Sequence, residues 1–252
     1  MTGMERKPSV VRLDGVSKIF GSNGNRTAAV RNISLEACSG ELVLLLGPSG
    51  SGKTTLLTLI AGLVKPTSGT VSIFGMNIED YTPKELQRLR AMRIGFVFQT
   101  FHLIDSLNVL ENVALVLRFA GKTRAKAKRH AKDMLERFHI EHLFRKFPAN
   151  LSQGEKQRVA VARAIANQAE LIIADEPTAS LESKQGFDII QLLHQYAQEE
   201  NRCVIVASHD LRIVEFADRV LKLEDGIITQ IQSKTNNQLP VQLPTQLDLS
   251  PF

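Results

Sequence analysis

One stretch, LVLLLGPSGSGKTTLLTLIA at residues 42–61, limits what this chain can fold into more than any other. Five consecutive apolar residues, 42–46, suit a strand buried on both faces. After a glycine-rich turn, Leu56, Leu57, Leu59, Ile60 and Leu63 recur at helical spacing. Between strand and helix, Gly47, four residues, Gly52, Lys53 and Thr54 complete the G-x-x-x-x-G-K-[ST] pattern in the context it requires. The residue types follow from the chemistry. Gly47, Gly50 and Gly52 let backbone N–H groups close around phosphate oxygens without Cβ obstruction, and the helix behind them presents the positive end of its dipole to the anion. Lys53 reaches the β and γ phosphates, and Thr54 offers its hydroxyl to Mg²⁺. The nucleotide-binding segment is thus Gly47, Pro48, Ser49, Gly50, Ser51, Gly52, Lys53, Thr54 and Thr55.

The 252 residues are enough for one large domain or two subdomains with a sizeable core. A hydrophobic content of 43% and a charged content of 23% are ordinary for a globular protein. The net charge of +5 is compatible with an anionic partner or with simple solubility. Cys38 and Cys203 lack metal-ligand spacing and read as buried, reduced thiols. MTGMERKPSV has no apolar centre that would make it a secretory signal, and no stretch approaches the ~20 apolar residues that span a bilayer. Membrane function is therefore expected to come through another chain.

Taken in order, VVRLDGVSKIF and AAVRNISLEA alternate apolar and polar residues around the turn-rich GSNGNRT, the pattern of an antiparallel hairpin. Phe20 closes the first of these strands, where an aromatic ring is placed either in the core or against a nucleotide base. Residues 66–69 turn into a short strand at 70–74, and Pro83 opens the charged helix KELQRLRAMR. IGFVF ends in Gln99, a polar amide at the carboxyl end of a buried strand, where open α/β sheets bind ligands. Gln99 reads as a loop residue or as a contact to Mg²⁺ or water. Residues 107–147 switch to a helical pattern in three segments, VLENVALVLRFA, TRAKAKRHAKDMLERFHI with Thr123 as N-cap, and EHLFRKF. The basic run Arg124, Lys126, Lys128, Arg129 and Lys132 suits phospholipid headgroups or nucleic acid, but without interleaved aromatics it reads first as a solvated face. His139 and His142 have no third ligand nearby.

LSQGEKQRVAVARAIA at residues 151–166 opens on a capping box of Ser152 and Glu155. Its N-terminus, with Ser152 and Gly154 exposed at the mouth, offers a second anion-binding site. The strand LIIA then runs into Asp175 and Glu176. A carboxylate pair at a strand end suits phosphoryl transfer, with Asp175 on the Mg²⁺ side and Glu176 orienting water.

The order GPSGSGKTT, Gln99, LSQGEKQRVAVARA, LIIADE, PTASLES and VASHD resembles the ATP-binding subunits of ABC transporters across nearly the whole folded chain. IGFVFQTFHLIDSLNVLENVAL further resembles the subgroup that powers macrolide export, lipoprotein release and cell-division complexes. The resemblance implies an α/β fold: a P-loop NTPase core with an antiparallel β subdomain and an inserted α-helical subdomain. It places one ATP-binding domain over residues 8–232, the helical subdomain at about residues 100–155, and a polar, Gln- and Pro-rich tail over residues 233–252 that reads as disordered. It also implies cofactors ATP and Mg²⁺ and a homodimer closing head to tail. Each ATP would then lie between Gly47 to Thr55 of one chain and Ser152, Gln153, Gly154 and Glu155 of the other. Phe20 matches the adenine-stacking aromatic. Gln99 matches the Mg²⁺ and permease-sensing residue, His209 the histidine that contacts the γ-phosphate, and Glu176 the catalytic carboxylate beside Lys53.

The implied partner is a separate transmembrane permease docked by the helical insert, with the chain peripheral on the cytoplasmic face of the inner membrane and no nucleic acid bound. Two positions depart from the family pattern. Gln153 replaces a glycine of the signature, and Glu182 stands where aspartate is usual in the loop that crosses the dimer. Two other functions share this fold: a mechanical regulator of a membrane complex that moves no substrate, and a soluble nucleotide-gated module. The soluble proteins usually carry two tandem domains or a long coiled coil. This chain has one set of motifs and no heptad run.

Overall fold

The computed structural model describes residues 7–21 and 25–234. The centre of the connector between the first two strands and nearly all of the Gln- and Pro-rich tail lie outside the described residues.

Two sheets form. β1 (Ser9–Phe20) and β2 (Thr27–Cys38) pair antiparallel, and β4 (Ser68–Ile73) and the short β5 (Met76–Asn77) extend them into a four-stranded sheet ordered β2-β1-β4-β5. The second sheet is built on β3 (Glu41–Leu46), with β6 (Ile94–Val97), β7 (Leu171–Asp175), β8 (Cys203–Ser208), β9 (Arg219–Glu224) and β10 (Ile227–Ser233), in the order β10-β9-β3-β8-β7-β6. All its pairings are parallel except the β9-β10 edge. That edge is a hairpin whose two turn residues, Asp225 and Gly226, both have positive φ, as a two-residue turn between right-twisted strands requires.

Among the described residues six α-helices cover this frame: α1 (Lys53–Ile60), α2 (Pro83–Arg93), α3 (Val109–Phe119), α4 (Arg124–Arg137), α5 (Gln153–Ile165) and α6 (Ser183–Glu199). The strand period of two divides the core cleanly. Val43 and Leu45 of β3, Leu171 and Ile173 of β7 and Ile205 of β8 face α1 and the antiparallel sheet. Leu42, Leu44, Ile172, Val204 and Val206 face α5 and α6 on the other side. β3 has polar cover on neither face, so a continuous apolar run is the only composition that suits it. Its C-terminal end fixes where the phosphate-binding loop begins.

The structure corrects several expectations. α1 stops at Ile60, so Leu63 lies in the following turn, half exposed, and not on the apolar stripe. EHLFRKF makes one 3₁₀ turn, Glu141–Leu143, instead of a third helix. A second such turn, Pro148–Asn150, leads into α5. Leu211–Phe216 is also 3₁₀, where the sequence after His209 predicts a short helix over Leu211 to Ala217. Cys203 is buried but Cys38 is only partly so. α6 was not read from the sequence, although Ile189, Ile190, Leu193, Tyr196 and Ala197 are buried on one face of it.

The insert is joined to the sheet by residues 98–108, which have no regular structure of their own. Asn112, 1% exposed on α3, substitutes for it. Its Oδ1 accepts from the Ile104 N–H at 2.8 Å, and its Nδ2 donates to the carbonyls of Ile104, Leu107 and Asn108 at 2.9–3.1 Å. Replacing it by alanine leaves the Ile104 N–H and the Leu107 carbonyl without their bonds to this side chain, while the Ile104 and Asn108 carbonyls keep backbone donors in the Leu107 and Asn112 N–H groups. Asn112→Ala is expected to lower unfolding free energy by about 3 kcal/mol, read from the urea midpoint at unchanged m-value.

Candidate active site

The loop between β3 and α1 is held by its packing as much as by its sequence. A Cβ on Gly47 would stand 2.2 Å from the Leu223 carbonyl oxygen. Gly52 has φ 102° and a Cβ there would meet the Ala29 carbonyl oxygen at 2.3 Å. Two of the three glycines are therefore demanded by neighbouring backbone on β2 and β9. Only Gly50, also at positive φ, faces open space. The Gly226 N–H donates to the Ser51 carbonyl at 3.0 Å, which ties the loop to the β9-β10 turn. Gly52 is also the N-cap of α1, with no side-chain cap and no acid in the first turn. The helix mouth keeps its N–H donors and positive end for an anion.

Lys53 is 6% exposed. Its ammonium donates to the carbonyls of Gly47 at 2.7 Å and Pro48 at 2.9 Å, and stands 3.5 Å from Oε1 of Glu176. Those three oxygens match its three protons. Thr54 Oγ1 donates to Asp175 Oδ2 at 2.8 Å. Glu176 directly follows β7 with φ 47°, in the left-handed region, and its N–H donates to the Ala207 carbonyl. Non-glycine residues rarely adopt this backbone except where surrounding structure imposes it, commonly at functional sites. The other oxygen of Glu176 lies 3.0 Å from His209 Nδ1 and accepts from Ser208 Oγ at 3.4 Å.

Burial raises the Asp175 carboxyl above its ordinary value, with the Glu176 charge adding to the shift and the Thr54 hydroxyl and Lys53 opposing it. Its Oδ1 and the Ser51 hydroxyl are buried without hydrogen-bond partners. An anionic oxygen left without a donor, beside a threonine hydroxyl bonded to the same carboxylate, suits a hard divalent cation such as Mg²⁺, which takes oxygen ligands and keeps several waters. Thr54 and Asp175 are the residues that would hold it.

Ser49, Gly50, Gly52 to Thr55, Gln99, Asp175, Glu176 and His209 line one cleft of about 360 Å³. The sequence elements that pointed to phosphate, cation and water thus meet in one place. Gln99 is exposed on its rim, and its carbonyl accepts from Ser180 Oγ at 3.4 Å. Phe20 and residues 152–155 are not among the residues lining this cleft. Phe20 is 44% exposed, with Lys18 Nζ 5.2 Å from its ring centroid, so its placement in the core is overturned.

The second helix mouth carries the expected capping box with Ser152 exposed, but Gly154 is buried and not exposed as the sequence suggests. Ser152 caps α5 and Glu155 returns the bond, the Ser152 N–H donating to its carboxylate at 2.7 Å. That backbone bond holds the Glu155 carboxyl below its usual value despite partial burial. Gly154 lies under the Gln185 side chain of α6, and a Cβ there would come within 2.9 Å of the amide.

Four residues that sequence reasoning passed over support the site. Gln157, fully buried on α5, donates to the Pro177 carbonyl at 2.6 Å, just after the acidic pair. Arg163 at the other end of α5 donates to the Phe101 and His102 carbonyls at 2.7 and 2.5 Å, holding two successive positive-φ residues just beyond Gln99. Ala29 lines the cleft by its place on β2, which nothing in its own side chain announces. Ser208 adjoins His209, and the VASHD motif contained it.

The family model for the ABC transporter matches residues 30–179. The chain is 43% identical over 204 residues to an ABC transporter ATP-binding protein of Mycobacterium tuberculosis, Rv2564, covering 81% of this chain but 62% of that one. The chain therefore spans under two thirds of the length of the mycobacterial relatives it matches. It is 40% identical to the putative hemin import ATP-binding protein HrtA of Staphylococcus haemolyticus, over 86% of this chain and 98% of that one. Among solved structures it resembles the dimeric, post-hydrolysis ATP-binding cassette MJ0796 bound to ADP and Pi, with TM-score 0.82 and 38% identity, over 88% of this chain and 98% of that one.

The raised Asp175 carboxyl has a testable consequence. A carboxyl whose folded pKa exceeds its unfolded one favours folding when protonated, and loses that contribution as pH rises through the folded value. At neutral pH its charge costs stability. Asp175→Asn is therefore expected to raise the ligand-free melting temperature at pH 7 above that of the parent chain. The difference should shrink as pH falls into the carboxylate range in paired calorimetric scans.

Proposed function

This chain belongs to the ABC transporter family as an ATP-binding domain, and from that premise we propose an ATP-hydrolysing subunit that dimerises on nucleotide and drives a separate membrane permease. The observation that carries the reading is the meeting of Lys53, Thr54, Gln99, Asp175, Glu176 and His209 in one cleft, while the second helix mouth stays outside it. A triphosphate gripped by residues 47–55 would be completed by Ser152 to Glu155 of a second copy. The dimeric form of the MJ0796 cassette supports that arrangement.

Lys53 and the loop N–H groups neutralise charge on the β and γ phosphates. Mg²⁺, where bound, would spread the charge that develops on the phosphate oxygens, with Thr54 and Asp175 holding it. Glu176 would orient a water for in-line attack, and His209, 3.0 Å from its other oxygen, would meet the γ-phosphate of a bound nucleotide. Phe20, exposed at the end of β1, remains available to stack on adenine.

Work is delivered on another face. An apolar groove of about 710 Å³ lies between α2, β6 and α3, floored by Phe96, Phe98, Ile104 and Val116 and rimmed by Arg88 and Arg163. A short amphipathic cytoplasmic segment of a permease with acidic flanks suits it. Arg163 touches both this groove and the backbone just beyond Gln99, which ties the docking groove to the segment that follows a residue of the nucleotide cleft. An exporter or lipid- or lipoprotein-extracting complex is the favoured assembly.

Among the described residues no helix is long and apolar enough to cross a membrane, which is compatible with a peripheral position on the inner membrane. Co-purification with a membrane partner, and analysis of what that complex carries, tests the assignment. Recovery of the chain without any membrane protein would favour a soluble nucleotide-gated module. A complex with ATP turnover but no cargo would favour the mechanical regulator.

Glu176→Gln is expected to retain ATP binding, to lower turnover by at least about 100-fold, and to accumulate a dimer on size exclusion with Mg-ATP. Normal turnover in that variant removes Glu176 from its assigned role.

A further inference from the structure

Charge on this chain is concentrated in one place. Between Asn112 and Lys132 there are seven Lys and Arg residues and no Asp or Glu, against a net charge of +5 for all 252 residues. The remainder of the chain is net acidic. The seven straddle the turn from α3 to α4. Among the described residues the only ion pair that any of them makes is Lys132 with Glu136, at 3.7 Å.

The start of α4 departs from the pattern that three other helices share, and unlike the uncapped α1 and α6 it joins a side-chain cap to cations in its first turn. α2, α3 and α5 each carry a capping box with glutamate at the third helical position: Glu85, Glu111 and Glu155. In α4 the cap is Thr123, but that third position is Lys126, and no acid lies in the first turn. Cations there oppose the helix dipole. A local rule broken without local compensation points to a use outside the fold.

At the same corner Phe119, the last residue of α3, is 70% exposed. It also lines the apolar groove that we assign to the permease. The basic patch is thus continuous with the face that looks toward the membrane partner. No aromatic interleaves with the charges of α4 along the chain; the fold supplies one from α3. Ala127, Ala131 and Leu135 turn the apolar stripe of α4 inward, leaving Lys126 and Arg129 on the outside, with Asp133 and Glu136 confined to its C-terminal half.

We propose that the α3-α4 corner binds the anionic phospholipid surface beside the permease, with Phe119 entering the headgroup layer and Lys126, Lys128 and Arg129 meeting lipid phosphates. Basic side chains near such a surface contribute about 1 kcal/mol each. A single anchoring ring with several cations gives weak, reversible attachment that complements a protein docking site. Nucleic acid fits less well, because one aromatic ring provides no series of stacking platforms.

The chain has no tryptophan, so Phe119→Trp supplies a single fluorescent reporter. With vesicles of phosphatidylcholine and phosphatidylglycerol, its emission is expected to shift to the blue and to be quenched by brominated lipid. It should do neither with phosphatidylcholine alone, and added salt should reverse the effect. Adding Lys126→Glu, Lys128→Glu and Arg129→Glu should weaken partitioning by roughly 100-fold while ATP turnover stays unchanged. Equal response to neutral vesicles, no response to anionic ones, persistence after charge reversal, or preferential binding of duplex DNA would each overturn the proposal. The orientation of the patch rests on the permease-docking reading. The vesicles contain no permease, so failure here leaves that reading standing, and failure to recover a permease leaves this result standing.

Discussion

The ammonium of Lys53 occupies the point at which the parts of this protein meet. It is nearly buried, so each proton needs an acceptor, and the three are supplied by Gly47, Pro48 and Glu176. Those partners come from two elements: the loop that β3 feeds and the turn that β7 ends on. A parallel sheet in which β8 lies between β3 and β7 puts the two strand ends in register. Gly47 N–H bonds the Ser208 carbonyl, and Glu176 N–H bonds Ala207, so β8 fastens both. The apolar core serves this alignment, holding strand ends to within a hydrogen bond of one another.

From that centre, α5 carries position outward. Its first turn forms the second helix mouth, its middle is bonded through Gln157 to the residue after Glu176, and its last turn is bonded through Arg163 to the segment beyond Gln99. A helix of 13 residues behaves as a stiff rod about 20 Å long. Displacement at a neighbour's nucleotide would be felt at both the acidic pair and the docking groove. Arg212 adds a second strut, pairing with Asp210 beside His209 and donating to Ser183 next to Glu182. Glu182 caps α6 without a side-chain bond, so its longer reach is unspent within the chain.

Much of this was legible in residues whose chemistry is stated locally. The loop glycines, Lys53, Thr54, the carboxylate pair and the Ser152-Glu155 box each follow from spacing, and of these Gly50, Gly52, Lys53, Thr54 and the carboxylate pair meet in one cleft. What the sequence hid were contacts between elements. Gly47 and Gly52 read as phosphate contacts, yet their lack of Cβ is required by carbonyls of Leu223 and Ala29, far away along the chain. Gln157, Asn112 and Arg163 look like ordinary helix residues until the fold places backbone groups against them. EHLFRKF carried apolar spacing but too few residues for a helix to gain more from hydrogen bonds than it loses in chain entropy. α6 had a clear apolar stripe and was passed over because chemistry-bearing motifs flank it on both sides.

The central claim is that each nucleotide site is shared between two copies. Two variants, Lys53→Ala and Ser152→Arg, should each be inactive alone, because every site in either homodimer lacks one half. Mixed and allowed to exchange, they form heterodimers in which the intact loop of one chain faces the intact helix mouth of the other. ATP turnover measured before and after mixing is predicted to rise from background to a fraction of the parent rate. Turnover that stays at background, with heterodimers confirmed by mass spectrometry, would contradict the account.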